Sequence, residues 1–404
     1  MRVVIVGAGQ AGAAAAAKLR ALGHSGPITM IGEEPAPPYQ RPPLSKAYLL
    51  GELPAERLWL RPTKFWDEHD VRLMLGAPAT AIDRAAREVR VGDEVLPYDA
   101  LVLATGSVPR RLSPGIGGGM AGSYPVRTLA DIEAVRPEFV AGRRVVVLGG
   151  GYIGLEVASV ASRLGLAVTV IQSAPRILRR VSAPESADYI RRLHQSHGVT
   201  ILENTRVERL LGNGRVTAVR LEGGRELPAD FVIEGIGITP ATALAGTAGL
   251  VIDNGIATDE MGCTSDPAIW SAGDCTSFPF KGRRIRLEAV SNAIDQAEAV
   301  AANILGARTP YEAKPWFWSD QFDLRLQIAG LSRGYDRVVH RPGPDGAASF
   351  WYFAPGGELL AVDAMSDSRA YMIGKRLIDA GRSPLPDQVA SVADLRELLQ
   401  GHPR

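Results

Sequence analysis

Two hydrophobic textures divide the chain. Over most of its length, apolar residues come in short β-branched runs that end in turn signals: Val3–Val6, Ile28–Ile31, Asp99–Leu103, Val145–Leu148, Val168–Ile171 and Ala268–Ala272. Unbroken runs of this kind predict strands buried on both faces of a parallel sheet. Val71–Leu75, Glu88–Val91, Val216–Leu221 and Asp230–Glu234 predict further short strands. Alanine-rich or amphipathic stretches predict helices from Gly12 to Leu22–Gly23, from Leu155 to Gly165 and from Arg286 to Leu305. Pro42 and Pro43 are expected outside any helix, with Ser45 as a cap. From Lys314 the texture changes. Leu324, Leu326 and Ile328 alternate with polar residues within Asp323–Leu331, the signature of an antiparallel strand with one wet face. Ser349–Phe353 and Leu359–Asp363 flank Pro355-Gly356-Gly357 as a hairpin, and two amphipathic helices follow.

The first strand runs into Gly7-Ala8-Gly9-Gln10-Ala11-Gly12 and then a helix. In such a turn Gly7 permits the reversal, Gly9 lets the backbone approach a pyrophosphate, and Gly12 lets helix pack on strand. Glu33, at the tip of the second strand, is placed to accept from both hydroxyls of an adenosine ribose. The unit then repeats. Val145–Leu148 leads into Gly149-Gly150-Gly151-Tyr152-Ile153-Gly154 and a second helix. Two copies of one nucleotide-binding unit imply two dinucleotides. They differ where it matters for ribose recognition, since Gln172 stands where the first copy has Glu33. Gln172 neither repels a 2′-phosphate nor attracts one, and Arg176, Arg179 and Arg180 lie nearby in sequence.

Other candidate ligand positions sit at strand ends. Thr105 and Gly106 follow Leu103, and Asp274 follows Gly273; in open parallel sheets the carboxyl edge of the strands is where ligands bind. Asp274 suits a sugar-alcohol hydroxyl, with a helix cap as the lesser alternative. The proline-stiffened loop PAPPYQRPPLSK (35–46) delivers Lys46 to a fixed place, and the glycine- and proline-rich passage from Pro109 to Gly122 reads as a domain boundary. A net charge of +1 gives no reason to expect nucleic acid or an anionic membrane as partner. Two cysteines, Cys263 and Cys275, exclude a disulfide framework and fit a reducing, cytoplasmic setting. The first strand starts at once, so no signal peptide is expected, and no metal site is read from the sequence. The loop after the first glycine turn holds no cysteine, which argues against a thiol relay. A flavin in the first site would then reduce its acceptor directly, and a one-electron carrier is the natural candidate.

GAGQAG, PPLSKAYL, LVLATG, GGGYIGLEVA, AGDC, NAIDQAEAVA and PWFWSDQ together make the chain similar to the FAD-dependent ferredoxin reductases that supply bacterial monooxygenases and dioxygenases. The resemblance covers nearly the whole chain. It implies an α/β protein with two Rossmann-like dinucleotide-binding domains, in the glutathione-reductase-like FAD/NAD arrangement, and a C-terminal α+β domain. The domains implied are 1–108 with 238–313 for FAD, 109–237 for NAD(P), and 314–404 at the C-terminus. The resemblance further implies that Ala11, Glu33, Lys46, Ala79, Arg127, Asp274 and Val290 contact FAD, Ala79 and Val290 through backbone atoms. Gly149, Gly151, Ile153, Gly154 and Gln172 then belong to the nicotinamide coenzyme. Glu156 is implied beside the nicotinamide, paired with Lys46 near flavin N5, and Trp318 beside the isoalloxazine as a gate towards ferredoxin. This chain departs from its relatives at Gln172, commonly an acid, and at Ser291, in some a proline.

The mechanism implied is hydride transfer from nicotinamide C4 to flavin N5, then two single-electron transfers to a 2Fe–2S ferredoxin. NADH is the favoured coenzyme, with NADPH left open by Gln172. A basic docking patch is expected, including Arg325, Arg333 or Arg369. Two other readings stand beside this one: an NAD(P)H oxidase or reductase of another acceptor such as rubredoxin or a quinone, and an interaction protein switched by bound FAD and NAD. Oligomeric state is open.

Overall fold

A computed structural model describes residues 1–400, so the last four residues of the expected C-terminal domain lie outside it. The chain forms two compact units, one of residues 1–40, 54–108 and 238–314 and one of residues 41–53, 109–237 and, among the described residues, 315–400. The segment 41–53, expected within the first domain, groups with the second unit, as does the C-terminal region.

In the first unit, five strands form a parallel sheet in the order Ile269–Ser271, Ala100–Leu103, Val3–Val6, Ile28–Gly32, Val71–Leu75. Val3–Val6 and Ala100–Leu103 are buried at every residue, as unbroken apolar runs predict. The period of two divides their side chains between two cores. Val3 and Ile5 pack with Ala16, Leu19, Ala297 and Val300 from the helices Gln10–Ala21 and Val290–Ile304. Val4 and Val6 pack with Ile82, Val89 and Leu96 from a three-stranded antiparallel sheet, Ala79–Asp83, Glu88–Val91, Glu94–Pro97. The helix expected from Arg286 starts four residues later, at Val290. Arg286 is held short of it by side-chain bonds to the carbonyls of Asn254 and Asp274.

The second unit repeats this plan. Its parallel sheet runs Thr200–Leu202, Ala167–Ile171, Arg144–Leu148, Phe231–Glu234, Ser123–Pro125, with a three-stranded antiparallel sheet of Val207–Leu211, Ala218–Leu221 and Glu226–Pro228. The aromatic-rich C-terminal region forms a five-stranded antiparallel sheet in the order Trp316–Gln321, Leu324–Gly330, Leu359–Met365, Ala348–Phe353, Arg337–Pro342. The expected hairpin is present, as Ala348–Phe353 against Leu359–Met365. The helix Ser368–Asp379 covers one face of this sheet, and Trp351, Phe353, Val362, Ile373 and Leu377 share its core. Pro42 and Pro43 do lie in a helical turn, Pro42–Ser45. That turn is 3₁₀ and one turn long, so its first residues need donate no N–H and proline fits there. Ser45 ends it rather than capping it.

Candidate functional site

The first glycine turn is as tight as its sequence demands. Gly7 has φ +119°, and a Cβ there would lie 2.1 Å from the Ala104 carbonyl oxygen. A Cβ on Gly12 would lie 1.8 Å from the Gly7 carbonyl oxygen, so helix and strand approach as closely as backbone permits. At Gly9 a Cβ would meet nothing within 4 Å. The turn therefore leaves open space beside Gly9, where the helix Gln10–Ala21 begins without a side-chain cap. Uncapped N–H groups and an open approach are what a pyrophosphate requires. Around this turn the first unit gathers several expected residues. A Cβ on Gly32 would lie 2.8 Å from Ala8 Cβ, which places the exposed Glu33 at the edge of the turn. A Cβ on Gly273 would lie 3.0 Å from Ala11 Cβ, which brings Asp274 to the same end of the helix. Gly273 is itself fixed by its N–H bond to Gln296 Oε1 at 2.9 Å. Thr105 Oγ1 donates to the Ala241 carbonyl at 2.6 Å, and the Gly106 carbonyl accepts from Ala241 N–H. Val290 starts a second uncapped helix, and Ala79 starts the antiparallel sheet.

The second turn reproduces the first, atom for atom in its crowding. A Cβ on Gly149 would lie 2.1 Å from Gly235 O, one on Gly154 2.1 Å from Gly149 O, and one on Gly151 would meet nothing within 4 Å. The helix Tyr152–Arg163 begins at Gly151, again without a side-chain cap, with Ile153 exposed beside it. The difference lies at Gln172. Its Oε1 accepts the Gly150 N–H at 2.8 Å, so the side chain turns its carbonyl back to the turn and keeps its NH₂ for a ligand. Arg176 is committed to the carbonyls of Ile177 and Ser182, while Arg179 and Arg180 are exposed.

The second unit also brings Lys46 and Glu156 together. Lys46 Nζ lies 2.8 Å from Glu156 Oε2, with Lys46 16% and Glu156 1% exposed. Glu156 comes from the helix of the second glycine turn and Lys46 from just past the turn Pro42–Ser45. Ser45 Oγ donates to Glu156 Oε2 at 2.5 Å, and Ser319 Oγ to Oε1 at 2.7 Å. A carboxylate is acceptor-only, so three donors suit its ionised form, and the ammonium balances its charge out of water. Lys46 also donates to the Pro42 carbonyl at 3.2 Å, which fixes the ammonium from two sides. Ser319 belongs to the strand Trp316–Gln321, where side chains alternate. Trp318 points to the opposite face from Ser319 and stacks with Trp316 at 5.6 Å between ring centroids. Phe317, on the Ser319 side, packs on Tyr152 at 4.6 Å. Arg127 lies before the helix Leu129–Val135: its N–H donates to Asp131 Oδ2 and its carbonyl accepts from Arg41.

Ser45, Ser319, Gln321 and His194 were not read as site residues from sequence. The available signal was polar residues on faces that should be apolar: Ser319 and Gln321 on the buried side of one strand, His194 one turn beyond the buried Ile190. Cys275 is wholly buried, and burial, with Asp259 and Asp266 nearby, pushes the Cys263 thiol up to about 11. Arg325, Arg333 and Arg369 are exposed. Among the described residues no helix is long and apolar enough to cross a membrane.

Comparison with known proteins places the chain in a family. A pyridine nucleotide-disulphide oxidoreductase family model matches residues 1–297, and a reductase C-terminal model matches 316–399. Rhodocoxin reductase of Rhodococcus erythropolis is 39% identical over 407 residues, covering 100% of this chain and 95% of its own. Putidaredoxin reductase CamA of Pseudomonas putida is 43% identical over 387 residues, covering 93% of this chain and 91% of its own. The reductase in the covalent putidaredoxin reductase–putidaredoxin complex superposes with a TM-score of 0.95 at 41% identity, covering 99% of this chain and 98% of that one.

Proposed function

The chain belongs to the pyridine nucleotide-disulphide oxidoreductase family and is an FAD-dependent NAD(P)H:ferredoxin reductase; we propose that NADH is its preferred electron source and that Lys46 and Glu156 form its reacting centre. The observation that carries this reading is the doubled turn, with open approaches at Gly9 and Gly151, in a chain that also buries a lysine–glutamate pair. In this reading Gly7, Gly9, Ala11, Gly12, Glu33, Ala79, Thr105, Gly106, Arg127, Asp274 and Val290 hold FAD, with Lys46. Gly149, Gly151, Ile153, Gly154 and Gln172 hold the nicotinamide coenzyme, with Glu156. FAD, when bound, supplies a group that takes up a hydride and gives up electrons singly.

The chain's own residues do the rest. The uncapped helices starting at Gln10 and Tyr152 present N–H groups to the two pyrophosphates. Lys46 brings a positive charge whose place is set by Glu156 and the Pro42 carbonyl, so it stabilises negative charge developing beside it without reorganising. Glu156 is held in turn by Ser45 and Ser319. Trp318 stands on the far face of the Ser319 strand as an aromatic gate towards ferredoxin. Arg325, Arg333 and Arg369 contribute to a basic docking surface for it. In support of NADH, Gln172 offers a ribose hydroxyl an amide and Arg176 is already committed to backbone carbonyls, while the exposed Arg179 and Arg180 leave NADPH open as a second coenzyme. The three domains of this reading are those of the sequence boundaries, 1–108 with 238–313, 109–237, and 314–404. We place the protein in the cytoplasm, where free thiols such as Cys263 and Cys275 persist. The test is cytochrome c reduction by the FAD-loaded enzyme with NADH, with and without a 2Fe–2S ferredoxin. A rate that rises sharply with ferredoxin is expected. Equal rates in the two arms would favour an oxidase or a reductase of another acceptor and overturn the reading.

A further inference from the structure

Support for the Lys46–Glu156 pair extends well behind the two side chains. Ser319 Oγ donates to Glu156 Oε1 at 2.7 Å, Gln321 Nε2 donates to Ser319 Oγ at 3.0 Å, and His194 Nε2 lies 2.8 Å from Gln321 Oε1. An amide oxygen can only accept, so His194 carries its proton on Nε2. Every hydrogen then points one way, from imidazole through amide and hydroxyl to the carboxylate. Ser319, Gln321 and His194 are each 0% exposed. In such surroundings successive donors polarise one another, and the sum falls on the last acceptor.

Packing alone does not account for this chain. His194 Nδ1 is buried without a partner, an orphan that an aliphatic side chain in the same place would not create. Burial also holds the imidazole down to about 4, so it is neutral near pH 7 and spends its single proton on Gln321. Ser319 and Gln321 take the buried face of their strand, where aliphatic side chains would be cheaper to desolvate. Nor is the chain a proton path, because the primary amide at its centre has no proton to pass on without leaving its stable tautomer. What remains is placement.

We propose that Ser319, Gln321 and His194 are positioning residues: they hold the Glu156 carboxylate in the orientation in which its other oxygen meets Lys46, and so set the rate at which the enzyme takes a hydride from its coenzyme. The inference rests on the roles given to Lys46 and Glu156 above. Without the Ser319 hydroxyl, Glu156 Oε1 becomes a buried acceptor lacking its donor. The carboxylate then turns towards whatever donor remains, and Lys46 loses its fixed partner.

Ser319→Thr and Ser319→Val separate this from packing, because they differ by a hydroxyl against a methyl at nearly equal volume. Flavin reduction by saturating NADH is followed in rapid mixing, and ferredoxin reduction by the chemically reduced enzyme separately. The valine variant is expected to be about 10-fold slower than the threonine variant in the first step, as for one lost hydrogen bond to a charged group. The two should match in the second. A valine variant that reduces as fast as the threonine one would overturn the inference. A Glu156→Gln variant run in parallel separates the two levels of the argument. If it leaves the NADH step unchanged, the role of Glu156 falls and this inference with it. If it slows that step while valine and threonine match, the inference alone falls. An independent readout is the ¹⁵N spectrum of His194 in the wild-type protein. The Nε2–H tautomer is expected, and the Nδ1–H tautomer would refute the direction of the chain.

Discussion

Gly154→Ala should injure one nucleotide site and spare the other. The added Cβ would lie 2.1 Å from the Gly149 carbonyl oxygen and 3.3 Å from Val147 Cγ1, where ordinary contact begins at 3.4 Å. Neither neighbour is a flexible side-chain end, so the helix Tyr152–Arg163 must retreat by roughly 1.3 Å. Overpacking against a rigid carbonyl costs about 3 kcal/mol, and alanine's better helix propensity returns about 1 kcal/mol. The net of about 2 kcal/mol corresponds to a fall in Tm of roughly 4–8 °C for a unit of this size. Glu156 rides on the same helix, and its oxygen is 2.8 Å from Lys46, so a retreat of that size breaks the pair. A reacting group misplaced by about an ångström costs on the order of 100-fold in rate. Purified Gly154→Ala is therefore expected to keep its flavin by absorbance, melt several degrees lower and be reduced by NADH about two orders of magnitude more slowly. Gly151→Ala is the control: its Cβ meets nothing in the protein, so it should leave Tm unchanged and raise the KM for NADH. Equal melting temperatures for Gly154→Ala and wild type, or a larger fall for Gly151→Ala than for Gly154→Ala, would refute the reasoning.

Two further expectations concern buried polar groups. Asp363 is buried against Ser186, Ser182 and Tyr352, and burial raises its carboxyl from 3.8 to about 6. The folded state thus holds this proton more tightly than the unfolded one. The cost of burying the ionised form is absent below about pH 4 and fully present above about pH 6, roughly 3 kcal/mol. His194, lowered from 6.5 to about 4, acts in the opposite sense, its stability contribution being lost as pH falls from 6.5 towards 4. Asp363→Asn removes the first slope and keeps the second, so its stability relative to wild type should fall by about 3 kcal/mol between pH 6.5 and 4 in denaturant titrations. A difference independent of pH would show that Asp363 does not titrate in the folded protein. Gln172→Glu keeps an acceptor for Gly150 and adds a charge, so the ratio of kcat/KM for NADH over NADPH should rise by about 10-fold. An unchanged ratio would mean that this position does not face the ribose.

Local chemistry explains what could be read in advance. Both glycine turns and the strands feeding them are short-range patterns, and φ +119° at Gly7 and +102° at Gly149 are conformations the residue type itself announces. The antiparallel insert Ala79–Asp83, Glu88–Val91, Glu94–Pro97 was seen at one strand of three, because its strands are short and largely exposed on one face. The grouping of 41–53 with the second unit had no local signal at all. The Glu156 network was invisible for the same reason. Ser45 lies 111 residues before Glu156 and Ser319 163 after it, so no periodicity links them. Only a polar residue on an apolar face, as at Ser319, marks such a site in sequence, and several folds could satisfy it.

Glu156 draws its donors from the turn ending at Ser45, from Lys46 beyond it and from the strand holding Ser319, so its burial has a history as well as a geometry. On the ribosome, the helix carrying this carboxylate is made long before Ser319 exists. Until that strand arrives, one oxygen can be satisfied only by water, and the glutamate must stay hydrated rather than sink into the forming interior. The set of donors around Glu156 is thereby complete only once the C-terminal sheet has arrived. A chain cut short before residue 319 would keep both glycine turns and the donors that Ser45 and Lys46 offer to Glu156 Oε2, yet leave Oε1 without the hydroxyl that meets it in the full chain.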